Sequence, residues 1–445
     1  MLTKNGLVVP HDPEIKKELT VRAVENAMGI RPPSFKVFRD AGSALLVPRY
    51  YGLGKSGRPT KDSRCAPARA NISFNGTLRS ETHQDRAFAA GVKAFEEVGG
   101  GVLSLPPGYG KTAMALAFSA QLKLRTLIIV HKEFLANQWK DRIAQFCPGA
   151  TIGRIQQDVF DIEKDFVIGM IQTMCMRELA SLETFGFLIV DEAHHIGAAA
   201  FSQSMFKLCP QYTLGLTATP ERKDGLTRLL YWFMGPEFYA VERDNQKSTR
   251  VVTVKYDDPL FKEAPPTTKF GKVNMAGMVT QISELNSRNE LIIDIIKNCL
   301  GDNRRILVLS DRREHCFWIL SQFETKIGGL YLGGMNEQDL DETSKKPLIV
   351  ATFAMAQEGL DIPVLDTCIL ASPHSDVTQA VGRIMRETAG KTNSPLIYDI
   401  ADQWSLFHSM YRKRTVFYAK AGFDFEKDEP VTKKRPLDEG KCAFL

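Results

Sequence analysis

The chain is expected to be α/β: two parallel-sheet domains in tandem, behind a small N-terminal accessory domain. Three observations predict this. The chain has 445 residues, too many for one hydrophobic core. Short apolar runs alternate with helical patterns in two separate sets, and such alternation argues for parallel sheets covered on both faces. Only the first set carries a glycine-rich turn between a strand and a helix, so the two sets are not expected to do the same work.

Residues 1–80 form the accessory part, a possible DNA-binding region. Thr20 to Met28 reads as a helix ending near Gly29. Leu45 to Gly52 reads as a strand running into a loop over 52–70. From Pro48 to Arg79 there are seven basic residues and one acid, a surplus that exceeds the +5 of the whole chain. Tyr50, Tyr51 and Phe74 lie among these charges. Aromatic rings among cations can stack on bases while the cations hold phosphates. A solvated loop with tyrosines packed beneath it fits the same residues.

Residues 81–243 form the first domain. Its strands are expected at Gly101–Leu105, Thr126–Val130, Phe166–Ile171, Phe187–Val190 and Tyr212–Leu216, with helical patterns between them such as Lys132 to Cys147. Residues 244–421 form the second. A connector broken by Pro259, Pro265, Pro266 and Gly271 leads to strands at Arg305–Leu309, Gly329–Leu332, Leu348–Thr352, Thr367–Ala371 and Leu396–Ile400. Helices are expected near Glu284–Leu300, Arg312–Phe323, Val377–Glu387 and Trp404–Ala421. Residues 422–445 read as a flexible charged tail, in which Lys433-Lys434-Arg435-Pro436 could also serve as a nuclear address.

Composition narrows the class. Hydrophobic content is 44% and charged content 24%, ordinary for a folded soluble chain. No apolar run approaches the roughly 18–20 residues that span a bilayer, so no membrane partner is expected. None of the eight cysteines forms a CxxC pair, which suggests neither zinc nor a disulfide framework and fits a reducing, intracellular setting.

The chemistry starts at Ser104-Leu105-Pro106-Pro107-Gly108-Tyr109-Gly110-Lys111-Thr112. A buried strand must turn tightly into an Ala- and Leu-rich helix, and Gly108 and Gly110 permit the angles. Such a loop aims backbone N–H groups at one point, at the positive end of a helix, and binds polyphosphate. Lys111 can reach the β- and γ-phosphates, and the Thr112 hydroxyl can ligate Mg²⁺. The full GxxxxGK[ST] pattern would place glycine where this chain has Leu105. About eighty residues later, Leu188-Ile189-Val190 leads into Asp191-Glu192-Ala193-His194-His195. Two carboxylates then leave the end of a buried strand, taken to neighbour the phosphate-loop strand. Asp191 suits a metal-orienting role, because Mg²⁺ favours carboxylate and phosphate oxygens. Glu192 suits the base that positions the attacking water. Zinc binding by the adjacent His194 and His195 is not expected, because adjacent histidines diverge.

With these residues in view, the chain resembles the superfamily 2 helicases. GYGKT, DEAH and Thr217-Ala218-Thr219-Pro220 are similar to motifs I, II and III. Ala351-Thr352 through Gln357-Glu358-Gly359-Leu360-Asp361 is similar to motif V. Gln379-Ala380-Val381-Gly382-Arg383-Ile384-Met385-Arg386 is similar to motif VI. The resemblance covers roughly residues 81–420. Thr219-Pro220-Glu221-Arg222-Lys223-Asp224-Gly225 resembles the XPB-like branch with its phage and poxvirus transcript-release helicases, and VPRYYG near Pro48 resembles the N-terminal part of the virus members.

That resemblance implies two tandem RecA-like domains and an ATP-dependent helicase or translocase using ATP and Mg²⁺. Lys111, Thr112, Asp191 and Glu192 would hold MgATP with Gly108, Tyr109 and Gly110. Arg383 and Arg386 would be arginine fingers, and Gln379 would share their helical face. Gly359 and Asp361 would sense the nucleotide. His194, Thr217, Thr219, Arg222 and Asp224 would couple the acidic pair to motion. Gln84 would resemble the adenine-reading glutamine, although SETHQDRA departs from the family's LRxYQ. Lys132, Gln172, Thr173, Ser310 and Arg312 would touch nucleic-acid phosphates without sequence preference. The family likeness favours DNA, 3′ to 5′ movement and a monomer, in viral-type transcription, repair or recombination. Host cytoplasm or nucleus, or the virion, would follow for a viral protein. The alternatives are a duplex translocase that does not part strands, an RNA helicase, a restriction-type motor subunit and a non-catalytic ATP-binding scaffold.

Overall fold

A computed structural model describes residues 1–24, 32–106, 108–177, 181–197, 199–218, 220–222, 224–241, 249–358, 360, 362–385, 391 and 393–425. The chain divides into two compact units, Met1–Glu242 and Arg243–Leu445.

The first unit is built on an eight-stranded sheet. From one edge its order is Val159–Phe160, Ile152–Gln156, Phe166–Met170, Thr126–Val130, Phe187–Val190, Tyr212–Thr217, Gly100–Ser104 and Glu237–Ala240. Every pairing is parallel except that of the first two strands. The central strands are buried along their whole length, as their unbroken apolar runs require once helices cover both faces. Helices Gln84–Glu97, Lys111–Leu122 and Glu133–Phe146 pack their buried stripes on this sheet. Tyr212–Thr217 lies between the acid-bearing strand and the phosphate-loop strand, so these two are not neighbours. Thr217 pairs with Ser104, and Val190 pairs with Gly215.

The accessory part belongs to the same unit. Its four-stranded sheet closes over Leu7, Val9, Leu45, Val47 and Tyr51, and that cluster includes Cys209 and takes Trp232 against it. Two expectations change here. Thr20–Val21 is a short strand paired with Phe35–Lys36, and residues 25–31 fall outside the described set. The VPRYYG segment is not a loop entry but the start of helix Arg49–Ser56, with Pro48 as its N-cap.

The second unit holds a seven-stranded, all-parallel sheet. Its order is Gly328–Tyr331, Leu348–Thr352, Ile306–Ser310, Thr367–Leu370, Leu396–Asp402, Arg250–Tyr256 and Asp424–Phe425. Arg250–Tyr256 lies in the stretch expected to be connector. Its half-exposed pattern lacks the continuous apolar run that marks the inner strands. No helix among the described residues is long and apolar enough to cross a membrane.

Candidate active site

Gly100–Ser104 delivers the chain to the carboxyl edge of the first sheet, where ligands of such sheets bind. Gly108 (φ 89°) and Gly110 (φ 79°) make the turn, and Gly110 caps helix Lys111–Leu122. A Cβ on Gly110 would lie 2.4 Å from Gln84 Nε2, so both backbone and space demand glycine. Lys111 Nζ donates to Leu105 O at 2.8 Å and to Pro106 O at 3.5 Å. Leu105, where the full pattern would have glycine, is buried and donates its N–H to Thr217 O at 3.1 Å. The departure from the pattern therefore falls where the loop is stitched to the adjacent strand.

Gln84 is buried beneath this loop. Its Oε1 accepts from Arg79 N at 3.1 Å, and its Nε2 donates to Tyr109 O at 3.0 Å. Both ends of the amide are engaged by backbone, an arrangement that braces the loop from below.

Phe187–Val190 brings the two acids to the same edge. Asp191 Oδ2 accepts from Trp139 Nε1 at 2.9 Å, and Oδ1 accepts from Glu192 N at 3.0 Å. Burial raises Asp191 above the usual carboxylate range, and the Glu192 charge adds to this. The Trp139 hydrogen bond and the Lys111 ammonium pull the other way. Glu192 has φ 47°, a left-handed backbone uncommon for a residue with a side chain. Its Oε2 is buried, lies 3.4 Å from His194 Nδ1 and accepts no hydrogen bond from a described residue. A strained backbone and a partnerless buried oxygen are features that persist at sites of function.

His194 Nδ1 also lies 3.2 Å from Thr217 Oγ1. Burial lowers the His194 imidazole to about 4 and that of His195 to about 3, so both rings are neutral at pH 7. His195 packs against His194 and His131, with 4.4 Å between ring centroids in each case. Arg222 donates to His194 O and grips Asp224, with Nε 2.9 Å from Oδ1 and Nη2 bonded to Oδ2. The structure thus brings His194, Thr217, Arg222 and Asp224 into one network with the acids. Thr219 lies outside the described residues.

In the second unit, Gln379 and Arg383 are both partly exposed on the short helix Thr378–Ile384. Arg383 Nε donates to Ala356 O at 2.9 Å, which ties it to helix Phe353–Glu358. Arg386, Gly359 and Asp361 lie outside the described residues.

The expected nucleic-acid contacts divide. Gln172 is exposed, with Nε2 bonded to His131 O at 2.8 Å, and Lys132 is half-buried at the start of its helix. Thr173 is buried and its hydroxyl accepts from Gln157 N at 3.0 Å, so it holds the fold rather than a phosphate. Ser310 is fully buried, with its hydroxyl 3.0 Å from both His315 Nδ1 and Ser372 Oγ. Arg312 binds Thr280 Oγ1 at 3.0 Å and Ala276 O. The aromatic residues of the basic stripe are consumed as well. Tyr50 donates to Gly99 O at 2.9 Å, Tyr51 packs edge-on to Trp232, and Phe74 stacks on Phe146.

Trp139 is the residue that the sequence did not single out. With Leu135, Ala136 and Ile143 it reads as a core stripe, and its aim at Asp191 comes from tertiary packing alone. The donor set fits a hard divalent cation, since crowded, partly buried carboxylates gain from one. Among the described residues no three His, Cys, Asp or Glu side chains form a ready cage. A cation here would draw its remaining oxygens from phosphate, hydroxyl and water.

Comparison with known proteins agrees with this geometry. A family profile described as "Type III restriction enzyme, res subunit" matches residues 77–222. A protein of Acanthamoeba polyphaga mimivirus named as an ATP-dependent RNA helicase is 32% identical over 434 residues, 93% of this chain and 82% of its own length. A helicase of Invertebrate iridescent virus 6 is 28% identical over 382 residues, 79% of this chain and 83% of its own. A helicase of Escherichia phage T5 is 24% identical over 356 residues, 77% of this chain and 76% of its own. A solved, DNA-bound ATP-dependent Type ISP restriction-modification enzyme shares the fold, with a TM-score of 0.53 and 21% identity over 74% of this chain. This chain spans 29% of that enzyme. The chain belongs to the superfamily 2 helicases, nucleic-acid-dependent ATPases related to these viral proteins.

Proposed function

We propose that the chain is a motor of the XPB-like branch that hydrolyses MgATP to move 3′ to 5′ along DNA. The observation that carries the reading is the Glu192 carboxylate. Its backbone is left-handed, its Oε2 is buried with no hydrogen bond from a described residue, and a single strand, Tyr212–Thr217, separates its own strand from that of the phosphate loop. In this reading Lys111 holds the β- and γ-phosphates, Thr112 and Asp191 hold Mg²⁺, and Glu192 takes the proton of the attacking water. The metal supplies charge neutralisation at the phosphates. Trp139 and the Glu192 N–H fix the Asp191 carboxylate. Neutral His194 passes the state of Glu192 to Thr217, which is bonded to the loop through Leu105. Arg383 and Arg386 supply positive charge to the transition state, a contribution on the order of 10³–10⁵ in rate in related NTPases.

Glu192→Gln tests the assignment. ATP binding is expected to persist while turnover falls by at least about a hundredfold. Near-parent hydrolysis would remove Glu192 from the role. DNA as the track is supported by the family likeness and by the DNA bound to the restriction enzyme of the same fold. A second reading, an RNA track, is favoured by the names of the mimivirus relative and of one from African swine fever virus, 24% identical over 355 residues. Strand displacement on matched DNA and RNA duplexes with 3′ or 5′ tails separates the two and fixes the polarity.

A further inference from the structure

Between strand Arg250–Tyr256 and helix Met275–Ser283 the chain forms a small hairpin that the motifs do not touch. Thr267 and Val273 pair across it as an antiparallel bridge. Thr268 N donates to Lys272 O at 2.6 Å, and Gly271 N donates to Thr268 O at 2.9 Å. Gly271 closes the turn with φ 73°. The two central residues of the turn are therefore Lys269 and Phe270. Phe270 is 90% exposed, more than any other large hydrophobic residue among those described. Lys269 and Lys272 flank it, both exposed, and neither is ion-paired to a described residue.

The hairpin is held firmly at its base. Pro265 and Pro266 stiffen one arm, and Asn274 N donates to Pro266 O at 2.6 Å. Asn274 then caps the following helix by accepting from Gly277 N at 3.0 Å. That helix is anchored by Met278, Val279 and Ile282 in a cluster with Trp404 and Phe407. Arg312 ties the same helix, through Thr280 and Ala276, to the carboxyl end of strand Ile306–Ser310. The helix that carries the hairpin is thus tied to the carboxyl end of that sheet, the end at which ligands of such folds bind.

A single exposed apolar residue is common on a folded surface, so the assignment rests on the setting of this ring, at the tip of a braced turn with a lysine on either side. One ring with two ammonium neighbours is far too small for a stable protein interface, which needs roughly 800 Å² per partner. It does match a nucleobase, which offers one flat face to stack on and a phosphate to either side. We propose that Lys269-Phe270-Gly271-Lys272 is a base-stacking contact for single-stranded nucleic acid. It rests on the reading of the chain as a nucleic-acid motor, and it adds a base contact where the motif residues offer only phosphate contacts.

The test uses the full chain and 20-nucleotide DNA and RNA strands carrying 2-aminopurine, whose emission is quenched when the base stacks. Phe270→Ala is expected to weaken single-strand affinity roughly tenfold or more and to abolish the quench. Phe270→Tyr is expected to restore both, while Phe270→Leu restores neither. Lys269→Gln with Lys272→Gln is expected to flatten the log–log salt dependence by about one to two units. Because the side chain stands in solvent, these variants fold as the parent does, which a circular dichroism melt verifies. Parent-like affinity and quench in Phe270→Ala would overturn the hairpin's role and leave the motor reading intact. A parent protein that binds no strand of either kind, with ATPase unaffected by nucleic acid, would overturn the motor reading and this one with it. Rescue by Phe270→Leu as full as by Phe270→Tyr would mean a merely apolar contact and would also overturn the stacking assignment.

Discussion

Glu192 occupies left-handed backbone at an expense of roughly 1–3 kcal/mol, which the fold tolerates because its neighbours over-determine the turn. Asp191 before it is fixed through both carboxylate oxygens, and His194 after it is held by Arg222. The strain aims one carboxylate while the other is locked. The lock depends on Trp139, whose indole is buried and whose N–H meets Asp191 Oδ2 at 2.9 Å. Trp139→Phe keeps most of the packing and deletes that hydrogen bond. Outer partners of metal-binding carboxylates typically account for 10- to 100-fold in metal affinity or activity. The variant is therefore expected to need roughly tenfold more Mg²⁺ for half-maximal ATPase, alongside a loss of about 1–3 kcal/mol in stability from the smaller ring and the missing bond. An unchanged Mg²⁺ titration would reduce Trp139 to a packing residue. This partnership was not legible in the sequence, since a tryptophan at core spacing carries no mark of what its N–H meets. The acids themselves were legible, because three apolar residues followed by two carboxylates announce a strand end.

At the scale of elements, helix Arg49–Ser56 shows how a charge count misleads. The Arg49 guanidinium donates to Pro210 O at 3.1 Å, to Gln211 O at 2.9 Å and to Val98 O at 3.3 Å. Arg64 grips Asp62 and also reaches Pro210 O. Lys55 pairs with Glu18 at 2.7 Å, and Arg58 reaches Glu97 O at 3.4 Å. Three of the seven cations, Arg49, Arg58 and Arg64, thus dock the accessory layer on the first domain, and Lys55 braces the layer internally. Counting charges cannot reveal this, because backbone carbonyls are acceptors that carry no formal charge. The close approach also explains Gly99 and Gly100. A Cβ on the first would lie 2.2 Å from Arg49 Nη2, and on the second 2.3 Å from Tyr50 Oη. The inner strands were legible because full burial forces unbroken apolar runs, whereas Ile152–Gln156 alternates, Arg250–Tyr256 is mostly half-exposed, and both were missed. Charge-assisted hydrogen bonds contribute about 1.5–3 kcal/mol. Arg49→Met is accordingly expected to lower the stability of the first unit by that amount in urea unfolding. The salt dependence of nucleic-acid binding is expected to stay as in the parent. A flattened slope with undiminished stability would return Arg49 to the phosphate-binding role.

The molecule as a whole carries several titratable groups buried in the form that acid removes. In the second unit, Arg414 is buried against Asp399 at 2.7 Å, with Tyr418 Oη 2.9 Å from the same carboxylate. Arg288 is buried against Asp402. Breaking one partner of such a pair costs about 3–5 kcal/mol, so Asp399→Ala is expected to remove the higher-stability part of that unit's urea transition. Histidines set the response to mild acid. His315 is buried, 3.0 Å from Ser310 Oγ through Nδ1 and 3.0 Å from Asn289 Oδ1 through Nε2. A neutral ring serves both partners by accepting from the serine and donating to the amide oxygen. Burial lowers it to about 3, and His194 and His195 in the first unit are lowered similarly. Because these folded values lie below the ordinary 6.5, the unfolded chain takes up protons first as pH falls. Their stabilising effect is complete above pH 6.5 and is lost as pH drops toward 3–4. For His315 alone the slope below 6.5 approaches about 1.4 kcal/mol per pH unit, roughly 2 kcal/mol by pH 5. Urea midpoints measured at pH 7, 6 and 5 are expected to fall in step with this. His315→Gln is expected to be less stable at pH 7 and to show a shallower fall. A parent midpoint that stays level or rises between pH 7 and 5 would mean that these imidazoles accept their protons within the fold.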